Sequence, residues 1–312
     1  MKKAIKNILT FSALTIGGLH VANLIIENHA TRLKLLDTKI GHFYKYRYGK
    51  IYYEKHGSGA PILLIHNLAP EGSGFEWSKI IHQLSKTNTV YVVDLLGCGR
   101  SDKPALTYTN YLYVNALNDF LRDVIGKKAT VVTSGRSSAI ALMETLMDES
   151  YIENLILINP ISTETDSLLL NEPKRLLTML YQLPIIGTYL YNVAMRRSYI
   201  LGRCSNNYCT KKYYITRDMI NAYYEACHLN KCHGKYLYAS ITSEYLNVDV
   251  KNALKNLSIP LLIISGKNEN AYGTYETYKE DLNHIKINDA TGMPHVEFPR
   301  RTCDAITSFL TK

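Results

Sequence analysis

The chain has 312 residues, of which 46% are hydrophobic and 20% charged; this excludes a disulfide-stapled miniprotein and a disordered chain, and suffices for one large globular domain or two small ones. Thirty-six Lys and Arg against 27 Asp and Glu give a formal charge of +9, but the basic residues are scattered without a long single-sign run, which argues against a nucleic-acid partner. Nine Pro and 18 Gly exclude collagen-like and low-complexity classes, and 25 Tyr against one Trp is a skew that by itself points to no function.

Twenty uncharged residues lie between Lys6 and Glu27, and twelve of the nineteen from Ile8 to Ile26 are apolar. That length can just span a bilayer. Lys2, Lys3 and Lys6 form a positive flank, and no small-x-small cleavage site follows. Residues 1–28 are therefore expected to be an uncleaved membrane anchor, with 8–26 in contact with the membrane, or else an amphipathic helix lying on the membrane or on the domain. Thr10, Ser12, Thr15, His20 and Asn23 weigh against a span, because each polar group must find a partner in hydrocarbon. Charge does not set the orientation: Arg32, Lys34, Lys39, Lys45 and Arg47 follow the segment as closely as the three lysines precede it.

From His42 onward short apolar runs alternate with helical patterns. Strands are predicted at 42–48 and 51–56, joined by a turn at Gly49-Lys50, then at 61–66, 89–95, 129–133, 152–159, 260–265 and 285–287. Helices are predicted at 75–85, 111–124, 137–147 and toward Leu310. The alternation predicts an α/β fold with a mostly parallel sheet covered by helices on both faces. The rhythm breaks after Pro160. The predicted organisation is a first core segment at 29–160, a helical cap inserted at 161–246 and a second core segment at 247–312.

Six cysteines include two C-x4-C pairs, Cys204/Cys209 and Cys227/Cys232, with His228 and His233 beside the second. Structural zinc sites favour tighter knuckles; two local disulfides or four buried thiols are the other readings, and spacing does not choose between them. No dinucleotide fingerprint, phosphate-binding loop or H-E-x-x-H occurs, so no nucleotide or metal cofactor is implied.

Asp94 to Pro104 (DLLGCGRSDKP) follows a buried run and resembles the D-x-x-G-x-G-x-S-x-x-P segment of the α/β-hydrolase superfamily. Tyr53 to Asn67 with Glu76-Trp77, Gly266 to Glu269, and Pro294 to Pro299 (PHVEFP) are similar to further motifs of that family in the same order, so the resemblance runs from about residue 42 to 312. It implies the α/β-hydrolase fold and a nucleophile, an acid and a histidine in that chain order.

The chain departs from that pattern at two of the three positions. Ala139 to Leu142 (AIAL) resembles the helix after the family's nucleophile, and Asn159-Pro160 the end of the next strand. Both registers place Gly135 at the nucleophile. Counting back from Pro294, His295, Glu297 and Pro299 places Gly292 at the catalytic histidine and His295 at a second histidine, while Glu269 keeps the acid's type. Glycine cannot attack anything, though it relieves the positive φ that the turn demands. The resemblance thus implies a degenerate hydrolase that binds a small apolar or anionic ligand, or a protein, with no catalytic residue. The rival is an active esterase-like serine hydrolase using Ser137, His295 and Glu269. Two residues turn a helix by about 200°, so Ser137 would point away from the usual direction of attack. Asn67 and Leu68 resemble the segment that lends an oxyanion-binding N–H, with Asn67 suited to a positive φ. The Arg136 N–H would be the second donor, and its guanidinium a candidate anion ligand.

Overall fold

The buried apolar runs pair into one eight-stranded sheet in a computed structural model that describes residues 2–161, 172–267, 275–279 and 282–311. Its strands are β1 (Gly41–Tyr46), β2 (Gly49–His56), β3 (Ala60–Ile65), β4 (Asn88–Val93), β5 (Ala129–Ser134), β6 (Ile152–Ile158), β7 (Leu261–Ser265) and β8 (Asn283–Lys286), in the order β1-β2-β4-β3-β5-β6-β7-β8. β2 runs antiparallel to both β1 and β4, and every other pairing is parallel. Helices α1 (Lys2–Thr31), α2 (Ile81–Leu84), α3 (Asn110–Phe120) and α4 (Ser137–Met147) precede β6. Between β6 and β7 come α5 (Glu172–Gln182), α6 (Ile185–Ala194), α7 (Arg197–Arg203), α8 (Arg217–Cys232), α9 (Gly234–Thr242) and α10 (Lys251–Asn256), and α11 (Pro294–Glu297) and α12 (Pro299–Leu310) close the chain. This mostly parallel mixed sheet with flanking helices is the α/β-hydrolase fold that the motifs implied.

Strand periodicity divides the core between the two faces of the sheet. Leu63, Ile65, Val131, Leu155, Leu157 and Ile263 pack under α3 and α4. Their neighbours Ile62, Leu64, Val132, Ile156 and Ile264 pack with Trp77 and α12. The inserted helices carry a third core in which Tyr191, Tyr208 and Tyr223 are buried beside Cys204, Cys209, Cys227 and Cys232. Much of the tyrosine skew goes there: the Tyr191 hydroxyl donates to the Cys227 carbonyl and that of Tyr208 to Glu71, so each ring fills a core and spends its polar tip. All six cysteines are buried, unbridged thiols.

Three local expectations are corrected. The first hairpin turns at Arg47-Tyr48, and Gly49-Lys50 already belong to β2, where the Gly49 φ of +147° brings its backbone against Asp102. The helix expected over 75–85 is broken into a 3₁₀ turn, Gly74–Trp77, and the four-residue α2. The helix expected to reach Val124 leaves α geometry after Phe120 and ends in a π turn closed by Gly126 at φ +67°.

α1 is long and apolar enough to cross a membrane by length and composition. Its polar residues are accommodated in different ways: Thr10 and Thr15 hydroxyls donate to carbonyls one turn back, whereas Asn23 is buried against the inserted helices, donating to the Ile185 carbonyl and accepting from Asn192. Glu27 accepts the Lys231 N–H. The last turns of α1 are thus fastened to α6 and α8.

α4 is enclosed along most of its length, and Glu144 on it is fully buried, with one oxygen accepting from Asn118 and the other without a partner among the described residues. Burial pushes its carboxyl up to about 7. Because the folded value lies above the ordinary one, the native state keeps a proton that the unfolded chain releases, and stability falls as pH rises through that range. Glu144→Gln is therefore expected to raise the melting temperature at pH 8 and to change it little at pH 4, measured by thermal denaturation at both values.

Candidate functional site

β5 ends where the Gly135 N–H donates to the Ile158 carbonyl, and α4 begins two residues later. Turning so sharply puts Gly135 at φ +55°, which a side chain resists and glycine does not. Thr133 and Ser138 brace the turn through a 3.0 Å hydroxyl contact. The Gly135 backbone faces a cavity of about 510 Å³ at the carboxyl ends of the strands, walled by Asn67 to Glu71, Ser134, Arg136, Asn159 to Ile161 and Thr291 to Met293, and by Met195, Tyr199, Arg203, Tyr208, Tyr238 and Ile241 from the inserted helices. Open parallel sheets place ligand sites at this edge.

Asn67 closes on the turn. Its φ is not positive, contrary to expectation; its position is decided by its hydrogen bonds. Its N–H donates to Glu76 at 3.0 Å, its carbonyl accepts from His66 Nδ1, and its side-chain Oδ1 accepts the Arg136 N–H at 3.0 Å. A Cβ on Gly135 would lie 2.5 Å from that Oδ1. The carboxamide therefore occupies the space over Gly135 and engages an N–H expected to be free for an anion. Leu68, the other expected donor, lines the same cavity.

Gly292 lines the cavity too, and the reason for a glycine is different. A Cβ there would lie 1.8 Å from the Asn207 carbonyl oxygen. The Met293 N–H donates to the Tyr208 carbonyl, so the end of the Cys204–Tyr208 π turn is zipped onto this loop. Glu269 lies outside the described residues.

Ser137 and His295 are not brought together. The Ser137 hydroxyl is fully buried and donates to the His66 carbonyl at 2.6 Å. His295, equally buried, shares Nε2 with Glu76 Oε1 at 3.0 Å and stacks on Trp77 with ring centroids 4.4 Å apart. Burial works to raise the Glu76 carboxyl, but the hydrogen bond and charge of His295 outweigh it and hold the group below the ordinary carboxylate range. Glu76 thereby ties Asn67, beside the cavity, to α11.

Among the described residues the Arg and acidic side chains of the cavity wall are Arg136, Arg203 and Glu71. Glu71 is buried and lies 3.1 Å from Arg203 Nε, and Tyr208 bridges the two by accepting from Arg203 and donating to Glu71. Burial works to lower the Arg203 guanidinium, and Glu71 more than offsets it, leaving the group raised. Among the described residues Arg136 has no carboxylate partner: it reaches the Asn247 carboxamide at 3.5 Å, and burial followed by repulsion from Arg203 lowers it. Two guanidinium groups thus face one carboxylate across the same space. Sequence reasoning missed Arg203 and Glu71, whose pairing joins residues 132 positions apart.

The segment around Asp94 holds the scaffold beneath. Arg100 makes paired contacts with Asp94 at 2.7 and 3.0 Å, reaches Glu54 and the Leu36 carbonyl, and lies over the Tyr52 ring. Burial would raise the Asp94 carboxyl, but Arg100 prevails and lowers it.

Comparison with known proteins matches the pattern of the Alpha/beta hydrolase family to residues 56–305. An uncharacterised protein of Mycobacterium tuberculosis is 31% identical over 103 residues, 33% of this chain and 30% of that one, so the chain spans about a third of the length of the curated relatives it matches. Among solved structures, a serine hydrolase involved in carbazole degradation superposes with TM-score 0.69 at 19% identity, over 87% of this chain and 98% of that one. A membrane phospholipase A described as a bacterial virulence factor superposes with TM-score 0.70 at 14% identity, over 100% of this chain and 98% of that one. At these identities the likeness shows the fold.

The two glycines respond differently to a methyl group. Gly135→Ala is expected to cost about 1–3 kcal/mol through strain at positive φ and the displaced Asn67 side chain, and Asn67→Gly should recover part of that loss. Gly292→Ala meets backbone that cannot rotate away, so Asn67→Gly should not rescue it. Urea denaturation of the single and double variants reads both outcomes.

Proposed function

We propose that this chain, which belongs to the alpha/beta hydrolase family, is a catalytically degenerate, membrane-tethered member whose pocket binds a small amphiphilic anion. In this reading residues 1–28 are the tether, 29–160 and 247–312 the core, and 161–246 a cap. Gly135, Glu269 and Gly292 stand at the nucleophile, acid and histidine positions.

The observation that carries the reading is the way the reaction space is filled. Above Gly135 lies the Asn67 carboxamide, which also takes the Arg136 N–H, and against Gly292 lies the Asn207 backbone. An oxyanion hole works through donors held ready for a charge that develops in the reaction, and one of the two expected here is already engaged. A nucleophile also needs a side chain. The alternative, hydrolysis through Ser137, His295 and Glu269, has less support, since the Ser137 hydroxyl and the His295 Nε2 are committed to His66 and Glu76 in closed surroundings.

The chemistry of the ligand follows from the walls. Among the described residues two guanidinium groups face one carboxylate, which favours an anion, and Arg136 is the cation with no described carboxylate of its own. Leu68, Ile161, Met195 and Ile241 offer apolar surface beside it. About 510 Å³ is the size of an ordinary small-molecule site. A carboxylate or phosphate on a short alkyl chain meets these requirements. The apolar α1, together with the fold shared along the whole chain with a membrane phospholipase A, supports the tether.

Purified protein in mild detergent is expected to remain unlabelled by a fluorophosphonate probe and to enhance the fluorescence of a dansyl-labelled fatty acid. Arg136→Gln should weaken that binding about tenfold, as loss of a charge-assisted hydrogen bond does. Fluorophosphonate labelling that disappears in Ser137→Ala would favour the hydrolase instead.

A further inference from the structure

We infer that the outer face of α5 and α6 rests in the interface of a phospholipid bilayer, beside the point where α1 enters it. The inference builds on the tether reading of α1 and adds a membrane-facing surface on the inserted helices.

Leu176, Met179 and Leu180 on α5, with Leu183 just after it, recur at the i, i+3, i+4, i+7 spacing that normally turns toward a core. All four are exposed, Leu176 at 60% and Met179 at 61%. α6 repeats the pattern: Gly187, Thr188, Tyr191 and Asn192 face inward, while Ile186, Leu190 and Val193 face out. The two helices pack side by side, so their outward rows join into one apolar surface, bordered at the end of α6 by the exposed Arg196 and Arg197. Continuous apolar surface of this kind marks an interaction site.

What covers it follows from α1. Asn23 and Glu27 fix the end of that helix to Ile185, Asn192 and Lys231. The uncharged residues ahead of Asn23, 7–22, span about 24 Å as a helix, less than the roughly 30 Å of a hydrocarbon core. The apolar sequence continues past Asn23, and Leu24 and Ile25 are exposed. A bilayer that accommodates the whole apolar length of α1 must therefore reach beyond Asn23, to the level at which α6 begins. There the outward rows of α5 and α6 meet acyl chains while Arg196 and Arg197 meet anionic headgroups, the arrangement of an interfacial amphipathic helix. It also brings the cap, which walls the cavity through Met195, Tyr199 and Arg203, to the surface from which an amphiphile would come.

The single native tryptophan, Trp77, is fully buried, so an added tryptophan at an exposed site reports its own surroundings. Full-length Leu14→Trp, Leu180→Trp, Ile186→Trp and Tyr111→Trp variants would be reconstituted in vesicles of phosphatidylcholine and phosphatidylglycerol, with or without dibrominated acyl chains. Loss of the added emission at positions 14, 180 and 186, with none at 111 on α3, is the expected result. Quenching at 14 without quenching at 180 and 186 would overturn this inference while leaving the tether intact. No quenching at any of the four would remove both. Blue-shifted emission at 180 and 186 that ignores brominated lipid would mean that protein covers the face, and would also overturn the inference.

Discussion

The hydrogen bond from the Arg136 N–H to the Asn67 carboxamide governs the chemistry open to the cavity. The parallel strands of the sheet direct their carboxyl ends at one edge, and the chain can pass from β5 into α4 there only through a residue at positive φ. Asn67 arrives from the end of β3, the neighbouring strand, and its side chain fills the concavity that the turn leaves. One carboxamide both satisfies the first backbone donor of α4 and displaces whatever would otherwise bind to it. The same residue is held from behind by Glu76, and Glu76 by His295, so its position depends on a chain of buried polar contacts running to α11.

Such a chain is costly where a member goes unmatched, as His295 Nδ1 does among the described residues, and most of its other members are paired. Here the His66 ring spans two backbone groups, donating from Nδ1 to the Asn67 carbonyl and accepting at Nε2 from the Leu95 N–H, and the Ser137 hydroxyl takes the His66 carbonyl. Groups that the motifs presented as candidate chemistry are thereby used to stabilise backbone that the sheet cannot pair. His295 illustrates the point: a histidine within a motif resembling a catalytic one serves as partner to a buried carboxylate and as packing for Trp77.

The sheet was legible in the sequence because strands buried on both faces must be nearly continuous apolar runs, as in Pro61 to Ile65 and Leu155 to Ile158. The sharp turn at Gly135 was legible because two segments downstream of it, Ala139 to Leu142 and Asn159-Pro160, give the same register. What stayed hidden depends on contacts between distant segments. Nothing near Asn67 indicates that its side chain meets Arg136, 69 residues on, and nothing near Gly292 announces the Asn207 carbonyl. The hairpin turn was misplaced because Gly49 suggests a turn locally, whereas its conformation serves a close approach to Asp102. Asn23 appeared as an interruption of an apolar segment, and its partners, Ile185 and Asn192, lie more than 160 residues away.

Reading Gly135 and Gly292 as the vacated nucleophile and histidine positions, each loss is matched by a contact of its own. A side chain at 292 would stand where the Asn207 carbonyl now lies, and one at 135 where the Asn67 carboxamide lies. The inserted helices have come down onto the core at the first place, and a polar side chain has folded into the second. Each glycine makes room for a contact that excludes the catalytic side chain, so serine and histidine could not simply be reinstated in this backbone. The Asn207-Tyr208 segment would have to lift from the loop at 292–293, breaking the Met293-to-Tyr208 hydrogen bond, and Asn67 would have to release Arg136. Lifting that segment disturbs Tyr208 and with it the Glu71–Arg203 pair. At Gly292 the contact that closes the reaction space therefore also holds Tyr208, which bridges the charged pair of the pocket wall.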